Sequence, residues 1–279
     1  MATATELAHI RSLLFAPGSH ERKLKKAFES GADAVVADLE DAVAPAEKTA
    51  ARDLVAQLLP AATGSLRALR LNAVGTPHFE EDLALARTLE LDVLVLPKAT
   101  PDAISALDAS GPPVIAIVET AAGLRLAYET AAAPGVAALV LGAADLGAGL
   151  GLEPRPDGLE ILYARSKLVV DSAAAGIRPP FDVVHLDTRD GPGLEAECRL
   201  ARSLGFRGKV CIHPEQVPIV NRVFAPSANE VDWAKGVIEA YEQGISGGEG
   251  VVALEGSMVD LPIVERARRV LAEAKGATG

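Results

Sequence analysis

Two cysteines in 279 residues, Cys198 and Cys211, are too few to organise a fold. They have no CxxC or Cys/His ligand spacing, which excludes a disulfide framework and a structural zinc site, and they read as buried thiols in a reducing compartment. Long apolar runs are missing too. Nowhere do about 18 apolar residues follow one another, the length a membrane-spanning helix needs, and the opening MATATELAHI lacks the basic and apolar blocks of a secretion signal. Positive charge is in deficit, with 27 Lys and Arg against 38 Asp and Glu and a net charge of -11. That balance argues against a sequence-independent nucleic-acid or anionic-membrane surface, both of which need clustered cations. The expectation is a cytoplasmic protein with neither partner. One local exception is the basic stretch Arg22, Lys23, Lys25 and Lys26.

What the chain has in quantity is apolar residues, 49% of the total, with a mean hydropathy of +0.22. Short strand-like runs alternate with longer Ala/Leu/charge segments, the signature of βα units around a parallel sheet. The pattern predicts strands over 12–16, 34–39, 68–71, 93–96, 114–118, 138–141, 183–186 and 209–212. Predicted helices cover 20–29, 46–59, 79–90, 101–108, 123–132, 159–174, 193–204 and 214–223. Runs such as VIAIV and ALVLG show little polar alternation, as expected of strands covered on both faces. Eight parallel strands favour a (β/α)8 TIM barrel within an α/β chain, which at 279 residues leaves room for a C-terminal helical extension or lid. The open doubly wound alternative lacks its usual fingerprint, because Pro17-Gly18-Ser19 is not a GxGxxG turn. The expected division is a catalytic barrel over 1–226 and an extension over 227–279, with a Gly-rich hinge at 246–250.

Six of the apolar runs end in a polar residue able to do chemistry, and in such barrels catalytic groups sit at the C-terminal mouth of the strands. Glu119 and Asp145 close the predicted fifth and sixth strands, so two hard oxygen ligands converge there and suit Mg2+, with Mn2+ as a substitute. Either could instead cap the following helix. Arg70 ends the third strand, where a fixed guanidinium suits a carboxylate or a developing enolate oxygen; pairing with Glu40 or Asp41 is equally open to it. Glu40 and Asp41 in DLED are placed to orient metal-bound water or Arg70, and Asp41 alternatively caps the turn before Ala46. The small-residue run from Gly142 to Gly147, with Ala144, Asp145 and Leu146 at its centre, offers backbone amides to a substrate carboxylate. Lys98 reads as an electrostatic or structural partner rather than a Schiff-base amine, and His213 as either a turn residue or a catalytic one.

Taken together, RSLLFAPGSHERKLKKA, DAVVADLEDAV, RLN, LPK, ET, GAADL, CIHPEQ and GSMVD, in that order over nearly the whole chain, resemble the HpcH/HpaI aldolase and citrate lyase superfamily. The resemblance is to its citrate lyase β-subunit-like branch, with the malyl-CoA and citramalyl-CoA lyases. It implies that Glu119 and Asp145 ligate Mg2+, that a 2-oxo acid chelates the ion, and that Arg70 faces the reacting oxygens. It further implies that Arg22 and Lys26 bind the phosphates of coenzyme A with Phe15 beside its adenine or pantetheine. Asp260, in the tail motif, would enter a neighbouring subunit's site as the acid/base, which implies a homotrimer or hexamer. Ala144 departs from the pattern, since many relatives carry an acidic residue directly before that Asp. The implied reaction is cleavage or formation of a 3-hydroxyacyl-CoA, such as malyl-, citramalyl- or citryl-CoA, with acetyl-CoA and a 2-oxo acid as the other side. Two alternatives stay open: a metal-dependent pyruvate or oxaloacetate aldolase that ignores coenzyme A, and a citrate lyase β subunit active only in a complex.

Overall fold

A computed structural model describes residues 7–246, 251–254 and 257–276, so the expected hinge at 246–250 lies, but for Ser246, outside the described residues. The chain divides into two compact units, Met1–Phe224 and Ala225–Gly279.

The first unit is built on seven parallel strands: β1 (Ser12–Pro17), β2 (Ala34–Asp38), β3 (Leu66–Arg70), β4 (Val93–Leu96), β5 (Val114–Val118), β6 (Val136–Leu141) and β7 (Lys209–Cys211). Their order is β6-β5-β4-β3-β2-β1-β7, sequential apart from β7, which pairs with β1. The two edges are joined by Phe181 and Asp182. Phe181 bridges to Val140 of β6, and Asp182 to Lys209 of β7, with hydrogen bonds of 2.9 Å from Phe181 N to Leu139 O and 3.0 Å from Val210 N to Asp182 O. This nearly closed parallel barrel is the predicted α/β barrel, with one correction. The seventh strand expected over 183–186 is replaced by a two-residue bridge just upstream. Pro179 and Pro180 carry no N–H to donate, so pairing upstream is limited to the Pro180 carbonyl, which accepts Arg207 N–H at 3.3 Å. Phe181 then fills the interior, and Asp182 is held by Arg165 at 2.8 Å and Lys209 at 2.9 Å. The apolar pair Val183-Val184 lies beyond the last bridge.

Side chains alternate along each strand. Leu13, Val36, Val95, Ile117, Val140 and Phe181 share the barrel interior, while Leu14, Val35, Leu96, Val118 and Leu141 pack outward under the helices. Burial on both faces explains the unbroken apolar runs. The helices are α1 (Glu21–Phe28), α2 (Lys48–Leu58), α3 (Phe79–Thr88), α4 (Pro101–Ser105), α5 (Ala121–Arg125), α6 (Ala127–Ala131), α7 (Ala143–Leu150), α8 (Leu162–Ala174), α9 (Gly191–Leu204) and α10 (Val217–Phe224). Several begin on a side-chain cap. Thr100 Oγ1 accepts Ala103 N–H at 3.2 Å, Thr120 Oγ1 accepts Gly123 N–H at 2.9 Å, and Asp190 Oδ1 accepts Gly193 N–H at 2.9 Å. Each such cap contributes about 1 kcal/mol. The helix expected over 123–132 breaks at Leu126 into α5 and α6. The small-residue run after β6 is helical, capped by Gly142 and ending at Gly151, whose φ of 67° stops it.

The second unit holds α11 (Ala228–Ser246), an antiparallel hairpin of β8 (Val252–Leu254) and β9 (Ser257–Val259), and α12 (Leu261–Gly276). Ala234, Val237, Val259, Val264 and Ala267 form its core, and Arg266 lies over the Trp233 ring at 4.9 Å. Among the described residues no helix is long and apolar enough to cross a membrane.

Candidate active site

The C-terminal ends of the strands frame a cavity of about 810 Å³. Its lining includes Phe15, Asp38, Asp41, Arg70, Glu119, Ala144 and Asp145.

β2 and β3 set the first part of the site. Asp38 and Arg70 are register partners on these strands. The guanidinium therefore reaches straight across, Nε donating to Asp38 Oδ1 at 2.7 Å and Nη2 to Oδ2 at 2.6 Å. Arg70 Nη1 adds an ion pair to Glu40 Oε2 at 2.9 Å and a longer one to Asp41 at 3.7 Å, and its cationic carbon sits 5.1 Å from the Phe15 ring centre. Burial works against this charge. The hydrogen bonds and charge of Asp38, with Glu40 and Asp41 beside it, outweigh that penalty and hold Arg70 protonated more firmly than usual. Asp38 also accepts the N–H groups of Glu40 at 2.8 Å and Ala42 at 3.3 Å, which shapes the DLED turn. Its carboxylate is the partner sequence reasoning missed. Gly18 completes this corner: a Cβ there would stand 2.9 Å from Asp38 O, so only glycine lets the PGS turn approach so closely.

Lys48 supports the same turn from behind. Its Nζ donates to Leu39 O at 2.6 Å, Glu40 O at 2.7 Å and Asn72 Oδ1 at 2.7 Å, and Asn72 in turn donates to Leu39 O at 2.9 Å. A buried ammonium with three acceptors is fully satisfied, and it ties the end of β2 to the end of β3.

The second part comes from β4, β5 and β6. Glu119 follows β5, directly before the Thr120 cap, and Asp145 lies in the first turn of α7 after β6. β5 and β6 are neighbours, so both carboxylates face the one cavity. Glu119 Oε1 accepts the Lys98 backbone N–H at 2.8 Å. A Cβ added to Gly142 would fall 2.5 Å from Glu119 Cβ, so the bare glycine is what gives this side chain its room. Burial pushes the Glu119 carboxyl up to about 7, opposed by the Lys98 N–H and ammonium and reinforced by Glu40 and Asp145. Burial likewise raises Glu40, partly offset by Arg70 and Lys98. Glu119 and Asp145 are hard oxygen donors beside an open cavity, a donor set that suits Mg2+. Among the described residues no group of three or more His, Cys, Asp or Glu side chains forms a ready cage. A metal held by Glu119 and Asp145 would therefore need further ligands from substrate oxygens and water.

The remaining candidates separate clearly. Arg22 and Lys26, one turn apart and exposed on α1, line the cavity beyond Phe15, which gives the basic stretch a direction. Ala144 lines it as well, whereas Leu146 is turned from α7 into the core and does not line the cavity. His213 borders the cavity, and its Nδ1 accepts Glu215 N–H at 3.3 Å while Gln216 Oε1 accepts His213 N–H at 3.2 Å. A capping box is thus its structural role. Lys98 Nζ donates to Glu40 at 2.9 Å and lies 4.0 Å from Asp145. Asp260 belongs to the second unit, where its Oδ1 accepts Ile263 N–H at 3.3 Å and caps α12.

The family model described as HpcH/HpaI aldolase/citrate lyase matches residues 11–214. A (3S)-malyl-CoA thioesterase from Cereibacter sphaeroides is 37% identical over 274 residues, covering 95% of this chain and 94% of that protein. The citrate lyase subunit beta of Leuconostoc mesenteroides subsp. cremoris is 36% identical, covering 94% of this chain and 92% of its own. Among solved structures, CitE from Mycobacterium tuberculosis in complex with magnesium, acetoacetate and coenzyme A superposes with a TM-score of 0.83 at 36% identity, over 96% of this chain and 99% of that one.

Proposed function

The chain belongs to the HpcH/HpaI aldolase/citrate lyase family as a CitE-like carbon-carbon lyase, and from that premise we propose that it cleaves or forms a 3-hydroxyacyl-CoA. Malyl-, citramalyl- and citryl-CoA are the candidate thioesters, with acetyl-CoA and the matching 2-oxo acid as products of cleavage. The observation that carries this reading is one cavity lined by Glu119, Asp145 and Arg70 together with Phe15, Arg22 and Lys26. It has a place for a small chelating acid and a path toward a polyanionic carrier.

Glu119 and Asp145 are the proposed Mg2+ ligands. When bound, the ion supplies a Lewis acid that polarises the oxygen on the carbon being formed or cleaved. The amides at the start of α7, from Ala143 to Asp145, orient the 2-oxo acid carboxylate. Arg70 stabilises the thioester enolate oxygen, and because Asp38 already fixes the guanidinium, little reorganisation accompanies charge development. Asp260 of a neighbouring subunit then protonates the enolate carbon to give acetyl-CoA, and removes that proton in the reverse direction. This last assignment makes the active form an oligomer, for which the family resemblance implies a homotrimer or hexamer. Buried free cysteines fit a cytoplasmic setting.

The test is direct. The purified chain with Mg2+ is given malyl-, citramalyl- and citryl-CoA in turn, and the 2-oxo acid is trapped as its phenylhydrazone while free thiol is followed in parallel. Lyase action yields 2-oxo acid with no free thiol. Glu119→Ala should abolish metal-dependent turnover, and full activity of that variant without added metal would sink the reading. A second reading is favoured by the malyl-CoA thioesterase relative: hydrolysis of the thioester, which the same assay reports as free thiol without 2-oxo acid. Turnover of free aldehydes with pyruvate or oxaloacetate would mark the aldolase alternative, and silence of the isolated chain with activity in a lyase complex would mark the subunit one.

A further inference from the structure

Lys98 is the one non-glycine with a positive φ among the described residues, at 50°. A left-handed backbone favours glycine, so a lysine kept there has a task for its side chain as well as for its turn. Both ends of the residue act on the same group of acids. The backbone N–H holds Glu119 Oε1 at 2.8 Å, while Nζ donates to Glu40 Oε1 at 2.9 Å and stands 4.0 Å from Asp145 Oδ2. Three carboxylates, arriving from the ends of β2, β5 and β6, are thereby gathered by a single residue at the end of β4.

We propose that the Lys98 ammonium serves as a built-in counter-cation that competes with the divalent metal for this acidic group, while its strained amide keeps Glu119 aligned whichever cation is bound. The inference rests on the reading of Glu119 and Asp145 as metal ligands. Its physical basis is simple: with no metal, Glu40, Glu119 and Asp145 would repel one another across a partly buried site, and an ammonium at 2.9 Å relieves that repulsion. A divalent ion arriving at Glu119 and Asp145 meets the same positive charge. The ion therefore binds the substrate-free protein weakly and binds well once a 2-oxo acid brings its own carboxylate, which neutralises the surplus. Lys98 in this role is a positioning residue and a selector for metal and acid together.

The experiment measures Mn2+ binding by electron paramagnetic resonance, with Mg2+ thermal shifts alongside, on the full chain without substrate. Wild type, Lys98→Met, Lys98→Gln and Glu119→Gln are compared. Removing one nearby charge from a half-exposed site should tighten Mn2+ binding by about three- to tenfold in both Lys98 variants, lower the melting temperature without metal, and enlarge the rise that Mg2+ produces. Lys98→Gln keeps a side-chain donor for Glu40 and guards against a folding failure of Lys98→Met. Mn2+ binding that is unchanged or weaker in folded Lys98 variants overturns the competition. Absence of Mn2+ binding in wild type even when oxaloacetate is added, or undiminished binding in Glu119→Gln, overturns the metal reading itself, so the two failures are told apart.

Discussion

At the scale of single residues, the central fact is that Arg70 does not stand free at the mouth of the barrel. Asp38 holds it through two hydrogen bonds of 2.7 and 2.6 Å, and Glu40 adds a contact at 2.9 Å. A guanidinium on so long and flexible a side chain would otherwise sample many directions, and each would weaken the hold on a developing enolate that is proposed for it. Asp38→Asn keeps the shape but loses one strong acceptor and the charge, so Arg70 should swing more freely. The expected outcome is a fall of about 10- to 100-fold in kcat/KM, the range seen when an orienting partner behind a functional group is removed, with Mn2+ affinity nearly unchanged because Glu119 and Asp145 are untouched. Steady-state kinetics and metal titration on the same preparation check it. An equal loss in both quantities would mean that Asp38 serves the acidic cluster as a whole. Sequence alone exposed Arg70, Glu40 and Asp41 because each follows a run of apolar residues and ends it. Asp38 sits inside such a run, and its partner is 32 residues away; only the register of β2 against β3 reveals that the two meet.

Secondary-structure elements were legible where one residue both ends a strand and begins a helix. Glu119-Thr120 shows why: the carboxylate turns into the cavity while the next side chain caps α5, so function and chain reversal share two positions. The same reasoning failed where pairing depends on distant partners. The run Val183-Val184 has the composition of a strand, but the barrel closes through Phe181 and Asp182, chosen by an aromatic that fills the interior and an acid that neutralises two buried cations. Asp182 is buried, a location that would raise its pKa, yet the charges of Lys209 and Arg165 outweigh burial and depress it. A depressed carboxyl contributes stability that is whole above its unfolded value of about 4 and drains away as pH falls through the lower folded value. Asp182→Asn should therefore cost about 3–5 kcal/mol at neutral pH, since it leaves the buried Arg165 without its counter-charge and Lys209 with Glu197 alone, at 3.0 Å. The loss should shrink in acid. Urea unfolding at pH 7 and near pH 3 measures both numbers; a variant equally destabilised at the two values would contradict the ion-pair account.

For the whole molecule, the proposed function takes a metal pair, an oxyanion partner and amides for a carboxylate from the barrel mouth, but the group proposed to move the proton, Asp260, lies in the other compact unit. In the second unit Asp260 already caps α12 through Ile263 N–H, and Met258 and Leu261 on either side of it are exposed apolar residues. A capped carboxylate held between exposed apolar side chains is a suitable group to present to another surface, which is how the proposal of a shared site between subunits gains its physical footing. Sharing can be tested without knowing the geometry. Asp260→Asn alone should be inactive, and so should Glu119→Gln alone, because every site in either oligomer lacks one partner. In a mixed oligomer formed from equal amounts of the two, a site works when its metal-binding half comes from the Asp260→Asn chain and its acid from the Glu119→Gln chain. Each choice is met half the time, so about a quarter of wild-type activity should return in a closed ring with random mixing. Light scattering fixes the size of the ring, and the recovered activity should rise and fall with the mixing ratio, peaking at equal amounts. If the acid comes from the same chain as the metal pair, the mixture stays silent at every ratio, and the shared-site account is lost while the roles of Glu119 and Asp260 survive.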